Sequence, residues 1–308
     1  MYDVVIIGGG PAGMSCGLYA GRAGMRTMII EKLFSGGQMS TTSEVENYPG
    51  LENVISGAEL AYQFERQARK FGVEFFNADV TGVQLEGDCK KIVTSQETIE
   101  TRTVVFAMGT VARKLGLEDE ARLAGKGVSY CATCDGAFFR GKEVAVIGGG
   151  DTALEDALFL SRICSKVYLV HRRDTFRGAK VLQDQVMQTE SIEICYQMVA
   201  DKIIGQDSVE GLVVRHVTEQ SKRELPVQGI FVAVGSDPSN QLVQEALQLS
   251  DRGYIVTDER MCTNIPGVFA AGDIREKQLR QIITAASDGA IAGFNAALYV
   301  NTQKEAVE

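Results

Sequence analysis

The sequence has few histidines, no long apolar run and no excess of positive charge, and each scarcity removes a class of function. Only His171 and His216 occur in 308 residues, which argues against histidine-centred hydrolysis and against a multi-histidine metal site. No apolar run approaches the length of about 18 residues that predicts a transmembrane helix. Met1-Tyr2-Asp3 lacks a basic segment, so no signal peptide is predicted. The net charge of −9 argues against nonspecific nucleic-acid binding, which needs a cationic surface.

The cysteines do not form the pattern of a secreted disulfide framework. There are seven, and only Cys131 and Cys134 are closely spaced. An odd count with one close pair predicts a reducing cytoplasm in which that pair is kept for chemistry. At 308 residues, the length predicts two domains.

The chain contains one pattern twice, at an offset of 140 residues. Residues 3–31 and 143–171 each read as an apolar strand, a glycine turn, a segment with helical periodicity and a second apolar strand. Each copy therefore predicts a βαβ unit.

Both turns match the dinucleotide pattern G-x-G-x-x-G/A. The first glycine permits the tight turn, the second lets a pyrophosphate approach the backbone, and the third position keeps the helix close to the strand. The helix N-terminus then faces the phosphates. The residues predicted to bind nucleotide are Gly8, Gly10, Pro11, Ala12 and Gly13 in the first turn, and Gly148, Gly150, Asp151, Thr152 and Ala153 in the second.

The residue that ends each βαβ unit distinguishes the two predicted sites. Glu31 ends the first, and a carboxylate there accepts hydrogen bonds from a ribose hydroxyl, which suits FAD. The second ends in His171-Arg172-Arg173, with Arg177 four residues further on. Arginines at this place neutralise a 2′-phosphate, so the second site favours NADPH over NADH. A solvated charge cluster is the alternative interpretation of the arginines.

Three further apolar segments end in glycine, at residues 104–109, 230–235 and 268–273. Because the first two repeat one form in the two halves of the chain, they indicate a duplicated nucleotide-binding fold with one insertion. The predicted fold class is α/β, with two Rossmann-like nucleotide-binding domains.

The Cys131-Ala132-Thr133-Cys134 segment has three possible uses. A structural zinc site requires two more ligands, and neither a second pair nor nearby histidines are present. An incidental pair is the second possibility. A redox-active disulfide fits best, because two nucleotide sites would supply an electron source and a relay. Asp135, adjacent to Cys134, is the candidate proton carrier, with a turn residue as the alternative. No metal is predicted.

Together these residues resemble the low-molecular-weight, bacterial-type thioredoxin reductases over residues 2–300. The most specific likeness is the stretch from Cys131 to Gly136 placed just before the second glycine turn and followed by the His171-Arg172-Arg173 segment. Further likenesses are Gly36-Gly37-Gln38, the stretch 46–50, and Gly272-Asp273 with Arg280-Gln281. By this resemblance the additional FAD-contacting residues are Lys32, Gly36, Gly37, Gln38, Asn47, Val80, Ala107, Gly109, Gly272, Asp273, Arg280, Gln281 and Ile282.

The resemblance implies a discontinuous FAD domain, residues 1–113 and 244–308, with an NADPH domain at 114–243 inserted into it. It implies that Cys134 faces the flavin, that Cys131 attacks the disulfide of thioredoxin, and that the enzyme is a cytoplasmic homodimer. Phe138 and Phe139 belong either to the thioredoxin-docking surface or to the core. Ala137 stands where many relatives carry an aromatic residue.

Three other functions remain open from sequence. A ferredoxin-dependent flavin thioredoxin reductase has a similar fold but lacks the nicotinamide fingerprint and the arginines. A dithiol oxidase of the same fold would act on a small molecule and consume oxygen. A flavin-based redox sensor, which is not an enzyme, would not need the arginines.

Overall fold

The computed structural model describes residues 1–42, 45 and 47–305, without the side chains of Cys134 and Glu305. The chain divides into two compact units, here called unit 1 and unit 2. Unit 1 comprises Met1–Val111 and Pro238–Glu308, and unit 2 comprises Ala112–Asp237. Unit 2 is therefore an insertion in the sequence of unit 1.

The strands are Tyr2–Ile7 (β1), Thr27–Glu31 (β2), Glu74–Asn77 (β3), Val80–Gln84 (β4), Lys90–Thr94 (β5), Thr98–Phe106 (β6), Thr110–Ala112 (β7), Val128–Ser129 (β8), Glu143–Gly148 (β9), Lys166–His171 (β10), Ile192–Tyr196 (β11), Met198–Ile204 (β12), Gly211–His216 (β13), Lys222–Leu225 (β14), Gly229–Ala233 (β15), Ser236–Pro238 (β16) and Val268–Ala270 (β17). The α-helices are Pro11–Arg22 (α1), Gly57–Arg69 (α2), Glu120–Leu123 (α3), Ala132–Asp135 (α4), Asp151–Ser161 (α5), Lys180–Gln188 (α6) and Ile282–Glu305 (α7). Short 3₁₀ turns cover Gly37–Thr41, Gly136–Phe139 and Gly272–Ile274.

Unit 1 is built on a seven-stranded sheet in the order β3-β2-β1-β6-β5-β4, with β17 also paired to β6. Strand β1 runs parallel to β2 and β6, whereas β4, β5 and β6 are antiparallel neighbours. Alternate residues of β1 enter two different cores: Val4 and Ile6 pack with the helices, and Val5 and Ile7 pack on the opposite face. This two-sided burial is what a parallel strand covered on both faces requires.

Helix α7 packs closely against α1 because glycines form its contact face. A Cβ atom on Gly289 would lie 2.0 Å from the Ala12 carbonyl oxygen, and one on Gly293 would lie 2.4 Å from that of Cys16. Larger residues at either position would separate the helices. The C-terminal helix is therefore held directly on the helix that follows the first glycine turn.

Unit 2 repeats the nucleotide-binding arrangement with a five-stranded sheet in the order β11-β10-β9-β15-β8. Its pairs β10–β9, β10–β11, β15–β9 and β15–β8 are all parallel. Val144 and Val146 of β9 face the core under α5, while Ala145 and Ile147 face the core shared with the antiparallel sheet β12-β13-β14. The predicted α/β class with two Rossmann-type domains is confirmed.

Strands β7 and β16 form a separate two-stranded sheet. Within the part of the chain that the structure describes, no helix combines the length and apolar character needed to cross a membrane.

Candidate functional site

The first glycine turn joins β1 to α1 in a conformation that larger residues cannot adopt. Gly8 has a φ of +109°, and a Cβ atom there would lie 2.4 Å from the Ala107 carbonyl oxygen. A Cβ atom on Gly13 would lie 1.9 Å from the Gly8 carbonyl oxygen. Gly10, by contrast, has no atom within 4 Å of its Cβ position. The turn is thus tightly packed behind and open at Gly10, where a phosphate group would approach.

Glu31 holds this turn from the end of β2. Its Oε2 atom accepts a hydrogen bond from the Gly9 amide at 2.8 Å, and its Oε1 atom accepts one from the Lys32 amide at 2.8 Å. Lys32 itself forms an exposed ion pair with Asp79 at 2.7 Å, and Val80 begins β4 immediately afterwards. The carboxylate predicted to contact a ribose is therefore held in place by backbone amides.

The Gly36-Gly37-Gln38 element lies beside the first turn, although it is far from it in sequence. The Gly36 amide donates to the Gly9 carbonyl at 2.7 Å, and a Cβ atom on Gly37 would lie 3.4 Å from Gly10 Cα. The Gln38 side-chain amide donates to the Thr110 carbonyl at 2.8 Å. Both glycines have positive φ values, +115° and +54°, so the element is shaped to follow the turn.

The segments after β6 and β17 also reach this turn. The Ala107 amide donates to the Ile7 carbonyl at 2.8 Å, and Gly109 has a φ of +64°. A Cβ atom on Gly272 would lie 2.8 Å from Ala12 Cβ, which places Gly272-Asp273 at the start of α1.

The region before α7 joins the same cluster. The Asn47 side-chain amide donates to the Gln281 side-chain oxygen at 3.2 Å, and Ile282 is the first residue of α7. Glu46, part of the predicted 46–50 element, lies outside the described residues. Most of the residues predicted to contact FAD are thus brought together by unit 1.

Two buried polar atoms of this cluster lack hydrogen-bond partners among the described residues, Asp273 Oδ1 and Arg280 Nε. Burial raises the pKa of Asp273, and the nearby Lys277 lowers it by a smaller amount. Arg280 stacks on the Tyr254 ring at 4.0 Å. Buried polar atoms normally have partners, so these two groups are suited to a polar ligand. The Arg280 guanidinium group, the Asp273 carboxylate and the open backbone at Gly10 fit the polar groups and phosphates of FAD.

The second glycine turn lies between β9 and α5 and, like the first, is closely packed at its first glycine and open at its third, but its support is different. A Cβ atom on Gly148 would lie 2.3 Å from the Ala233 carbonyl oxygen and 2.7 Å from Ala153 Cβ, and Gly150 is open. A Cβ atom on Gly149 would lie 2.2 Å from the His171 ring. The ring therefore fills the place that the Glu31 carboxylate occupies in unit 1.

His171 is a buried support. Its Nε2 atom lies 3.0 Å from the Thr175 carbonyl oxygen, and its ring centroid lies 5.3 Å from that of Phe176. Burial lowers the pKa of His171, against the opposing effect of backbone hydrogen bonds. The imidazole is therefore neutral at pH 7.

The start of α5 is tied to the segment after the arginines. Asp151 Oδ1 accepts from the Ala179 amide at 2.6 Å, and the Arg177 amide donates to the Gly149 carbonyl at 2.8 Å. Thr152 is exposed on the first turn of the helix. Asp151 thus orients the backbone around the turn.

The side chains of Arg172, Arg173 and Arg177 are exposed. Over the ranges that the structure describes, none of the three forms a side-chain hydrogen bond or an ion pair. They extend from the segment that covers the second turn, so three guanidinium groups are available for an anionic ligand.

The Cys-x-x-Cys segment follows β8 in unit 2. Cys131 is disulfide-bonded, its amide donates to Ser129 Oγ at 3.1 Å, and its Sγ atom lies 3.4 Å from Thr133 Oγ1. The Cys134 side chain lies outside the described residues. The Asp135 amide donates to the Cys131 carbonyl at 3.2 Å, and the Asp135 side chain is half-buried. Among the described residues no group of His, Cys, Asp or Glu side chains could hold a metal ion.

Sequence reasoning missed the support on the N-terminal side of this segment. Tyr130, next to Cys131, donates its hydroxyl to the buried Glu120 carboxylate at 2.7 Å. Glu120 also accepts from the Leu115 and Gly116 amides at 2.8 and 2.7 Å. A glutamate that would be buried could not be recognised from a charged stretch of sequence.

The two phenylalanines beyond the dithiol have different environments. Phe139 is buried, with its ring centroid 5.4 Å from that of Phe231, so it is a core residue. Phe138 is 74% exposed. Of these two phenylalanines, Phe138 is the one available to a partner protein.

Comparison with known proteins identifies the family. The model of the pyridine nucleotide-disulphide oxidoreductases matches residues 2–289. Thioredoxin reductase from Listeria monocytogenes is 43% identical over 100% of this chain and 97% of its own length. Thioredoxin reductase from Mycolicibacterium smegmatis is 42% identical over 98% of both chains. The crystal structure of Lactococcus lactis thioredoxin reductase superimposes with a TM-score of 0.94, at 42% identity, over 98% of this chain and 100% of that one. This chain therefore belongs to the thioredoxin reductases, FAD- and NADPH-dependent members of the pyridine nucleotide-disulphide oxidoreductase family, which confirms the enzyme class and the cofactors expected from the sequence.

Proposed function

We propose that this protein reduces the disulfide of thioredoxin with electrons from NADPH, and that the dithiol Cys131–Cys134 carries them to the partner. The observation that carries the proposal is the disulfide at Cys131 in the same unit as the second glycine turn. In total, NADPH and one proton convert one disulfide into two thiols and release NADP⁺.

Unit 1 is proposed as the FAD domain and unit 2 as the NADPH domain. FAD, when bound, accepts two electrons from NADPH and passes them on to the protein disulfide. The Gly8–Gly13 turn, Glu31 and Asp273 would bind the phosphates and hydroxyl groups of FAD. Three observations support this assignment: the open backbone at Gly10, the Glu31 carboxylate held by the Gly9 amide, and the Asp273 Oδ1 atom that lacks a hydrogen-bond partner among the described residues. Gln38 and Asn47, each already bonded to a neighbouring segment, would keep the surrounding segments in place.

The three exposed arginines are proposed to select NADPH. Arg172, Arg173 and Arg177 carry no competing ion pair in the described ranges, so a 2′-phosphate would meet unneutralised guanidinium groups. This supports NADPH turnover over the two alternatives that do not need the arginines, a ferredoxin-dependent reductase and a flavin-based sensor.

Cys131 is proposed to attack the thioredoxin disulfide and Cys134 to resolve the mixed disulfide. Exchange passes through a covalent intermediate and requires a thiolate at the attacking sulfur. Asp135, half-buried beside Cys134, is proposed to hold and deliver the proton that the leaving sulfur needs. The exposed Phe138 is proposed as part of the thioredoxin-docking surface.

An anaerobic titration tests the function. The purified yellow protein should be bleached by NADPH and reoxidised by oxidised thioredoxin, but not by glutathione disulfide. Oxygen uptake that depends on a small dithiol, with no reoxidation by thioredoxin, would instead indicate a dithiol oxidase.

The roles of the two cysteines are tested by trapping. Cys134→Ser should form a reducible covalent adduct with thioredoxin, because no resolving thiol remains. Cys131→Ser should not form it. Adducts seen only with Cys131→Ser would exchange the two roles and leave the function standing.

The role of Asp135 is tested by Asp135→Asn, which keeps the size of the side chain and removes its acidity. Turnover with thioredoxin should slow by about 10²–10⁴-fold while FAD remains bound. Turnover close to that of the wild type would make Asp135 a turn residue.

We also propose a cytoplasmic homodimer. Among the described side chains, five cysteines are free, which supports a reducing compartment: Cys16, Cys89, Cys164, Cys195 and Cys262. Unit 1 exposes large apolar side chains on three helices, including Tyr19, Tyr62 and Phe294, which supports self-association. Light scattering on a gel-filtration peak should give twice the mass of one chain.

A further inference from the structure

A buried carboxylate on α7, Asp288, has no role in the function described above. Its side chain is 10% exposed, and those of its partners Lys277 and Arg275 are 8% and 14% exposed. It lies where α7 contacts the segment that begins at Gly272, whose Cβ position is 2.8 Å from Ala12 Cβ at the start of α1. The question is why a charged group is kept at this contact.

Both carboxylate oxygens of Asp288 accept hydrogen bonds from the segment that begins at Gly272. Oδ2 accepts from the Gly272 amide at 3.1 Å and from Lys277 Nζ at 3.0 Å, and Oδ1 accepts from Arg275 Nη1 at 3.2 Å. One side chain therefore fixes three points of the segment that carries Asp273. Arg275 is held in turn by the Thr257 hydroxyl, which accepts a hydrogen bond from Arg275 Nε at 2.8 Å.

Lys277 extends this arrangement to Asp273. Its Nζ atom lies 3.3 Å from Asp273 Oδ1, but the contact is not directed as a hydrogen bond and Oδ1 is otherwise without a partner. Lys277 thus holds the Asp273 carboxylate by charge and leaves the oxygen's hydrogen-bonding capacity for another donor.

The Gly272 turn has little freedom to adapt if this support is lost. Gly272 has a φ of +78°, and its Cβ position is 2.8 Å from Ala12 Cβ and 3.7 Å from Ala285 Cβ. A movement of the turn would therefore press on the start of α1, next to the first glycine turn. Stability alone does not account for the cluster, because buried ion pairs are commonly replaceable by apolar residues without loss of stability.

We propose that Asp288 is a positioning residue for FAD. Asp288 fixes the Gly272 amide directly and the Asp273 carboxylate through Lys277, so that this turn is in its binding conformation before FAD arrives. The inference rests on the proposed placement of FAD against Gly272 and Asp273.

The test measures FAD binding to apoprotein, by quenching of flavin fluorescence, rather than turnover. Asp288→Asn should raise the FAD Kd by about 10–100-fold, as expected for the loss of hydrogen bonds to a charged acceptor. Lys277→Met, which retains the aliphatic stem, should raise the Kd by a smaller factor. Both residues act on the same turn. The fold increase in the FAD Kd of the double variant should therefore not exceed the product of the increases in the two single variants.

Asp201→Asn is the matched control. Asp201 also binds one arginine and one lysine, Arg215 at 2.9 Å and Lys222 at 2.7 Å, but it lies in unit 2. The FAD Kd of the Asp201→Asn variant should remain within twofold of the wild-type value. The unfolding temperature of each apoprotein separates a general loss of stability from a loss of binding.

Three outcomes decide the question. An Asp288→Asn apoprotein that is less heat-stable but binds FAD with the wild-type Kd overturns the proposal. If Asp288→Asn does not fold, an unchanged Kd in Lys277→Met overturns it. Asp273→Asn tests the proposed placement of FAD against Gly272 and Asp273. If that variant also binds FAD with the wild-type Kd, the placement itself is wrong, whatever the role of Asp288.

Discussion

The two glycine turns occupy the same place in their βαβ units and are supported by different chemistry. In unit 1 the Gly9 amide donates to the Glu31 carboxylate at 2.8 Å. In unit 2 the equivalent Gly149 packs on the buried ring of His171. The residue at the end of the second strand, 22 positions after the middle glycine in both units, therefore supports the turn from behind in each case.

On the proposed function, this difference would give one fold two cofactor preferences. Where the support is a carboxylate, as proposed for the FAD site, its remaining acceptor capacity would be available to a ribose hydroxyl. Where it is a neutral imidazole, no acceptor charge competes, and the arginines that follow it can attract a phosphate. On the proposed function, ligand preference would depend on the supporting residue and on the arginines that follow it, Arg172, Arg173 and Arg177, whereas the glycines shape the turn.

Among the substitutions that test the comparison of the two turns, the largest effect is expected from removing the charges that distinguish the second turn. Arg172→Ala with Arg173→Ala should lose charge-assisted bonds to the 2′-phosphate worth about 2–4 kcal/mol. The kcat/KM for NADPH should then fall by about 30–1000-fold, while that for NADH changes little. Steady-state kinetics with both nucleotides measure the ratio.

Lys202→Ala, which removes another exposed cation of unit 2, controls for the general loss of positive charge and should preserve the ratio. An unchanged preference in the double arginine variant would mean that the arginines are a solvated cluster and that the comparison of the two turns does not explain selectivity.

A second test makes the same substitution at the middle glycine of each turn. Neither Gly9 nor Gly149 has a positive φ, so alanine is allowed by the backbone at both. In Gly149→Ala the new methyl group would lie 2.2 Å from the His171 ring, whereas in Gly9→Ala it would lie 3.2 Å from Glu31 Cβ. Overpacking of about 1–3 kcal/mol predicts a weakening of NADPH binding by about 5–150-fold in the first variant.

Binding measurements on both variants check this difference. Gly9→Ala should bind FAD within a few-fold of the wild type. Adding His171→Ala to Gly149→Ala should restore NADPH binding, since it removes the atoms that the methyl group meets. A Gly149→Ala protein that binds NADPH normally would show that the ring moves aside and is not a rigid support.

The sequence predicted these turns well because their determinants are local. The spacing from Gly8 to Glu31 and from Gly148 to His171 follows from one strand, one helix and one further strand, so each turn and its supporting residue lie within a single βαβ unit. The likeness to thioredoxin reductases added Gly272 and Asp273, whose distance in sequence from Glu31 hides the proximity of Gly272 to Ala12. The roles of Asp288, Glu120 and Gly149 were not predictable, because each depends on which distant backbone group or ring a side chain meets after folding.

A smaller effect is expected when the carboxylate of the first turn is neutralised. In Glu31→Gln one oxygen can still accept, but the amide nitrogen must face either the Gly9 or the Lys32 amide, which are both donors. The loss of one hydrogen bond, about 0.5–1.5 kcal/mol, predicts an FAD Kd raised by about 2–12-fold. Glu100→Gln, an exposed glutamate on the same sheet with only a 3.9 Å ion pair, should leave the Kd unchanged. Equal FAD binding by Glu31→Gln and Glu100→Gln would remove Glu31 from the cofactor site.

The smallest effect compares the helices that follow the turns. At the offset of 140 residues, the buried Cys16 of α1 corresponds to Asp156 of α5. Burial, and secondarily the charge of Glu155, raise the pKa of Asp156 from 3.8 to about 7. Between these values the folded protein retains a proton that the unfolded chain releases, so the stability of unit 2 should decrease as pH rises from about 4 to 7. Above pH 7 the destabilisation by the ionised carboxylate is complete.

Asp156→Asn should therefore raise the unfolding temperature at pH 8 and have little effect at pH 5. The expected gain is a few degrees, at about 2–4 °C for each 1 kcal/mol of destabilisation removed. Asp184→Asn serves as the control, because Asp184 is paired with Lys180 at the surface and its neutralisation should give no gain at pH 8. Thermal unfolding followed by circular dichroism at both pH values measures the difference. If Asp156→Asn changes the unfolding temperature equally at pH 5 and pH 8, the effect comes from packing, and ionisation of Asp156 does not distinguish α5 from α1.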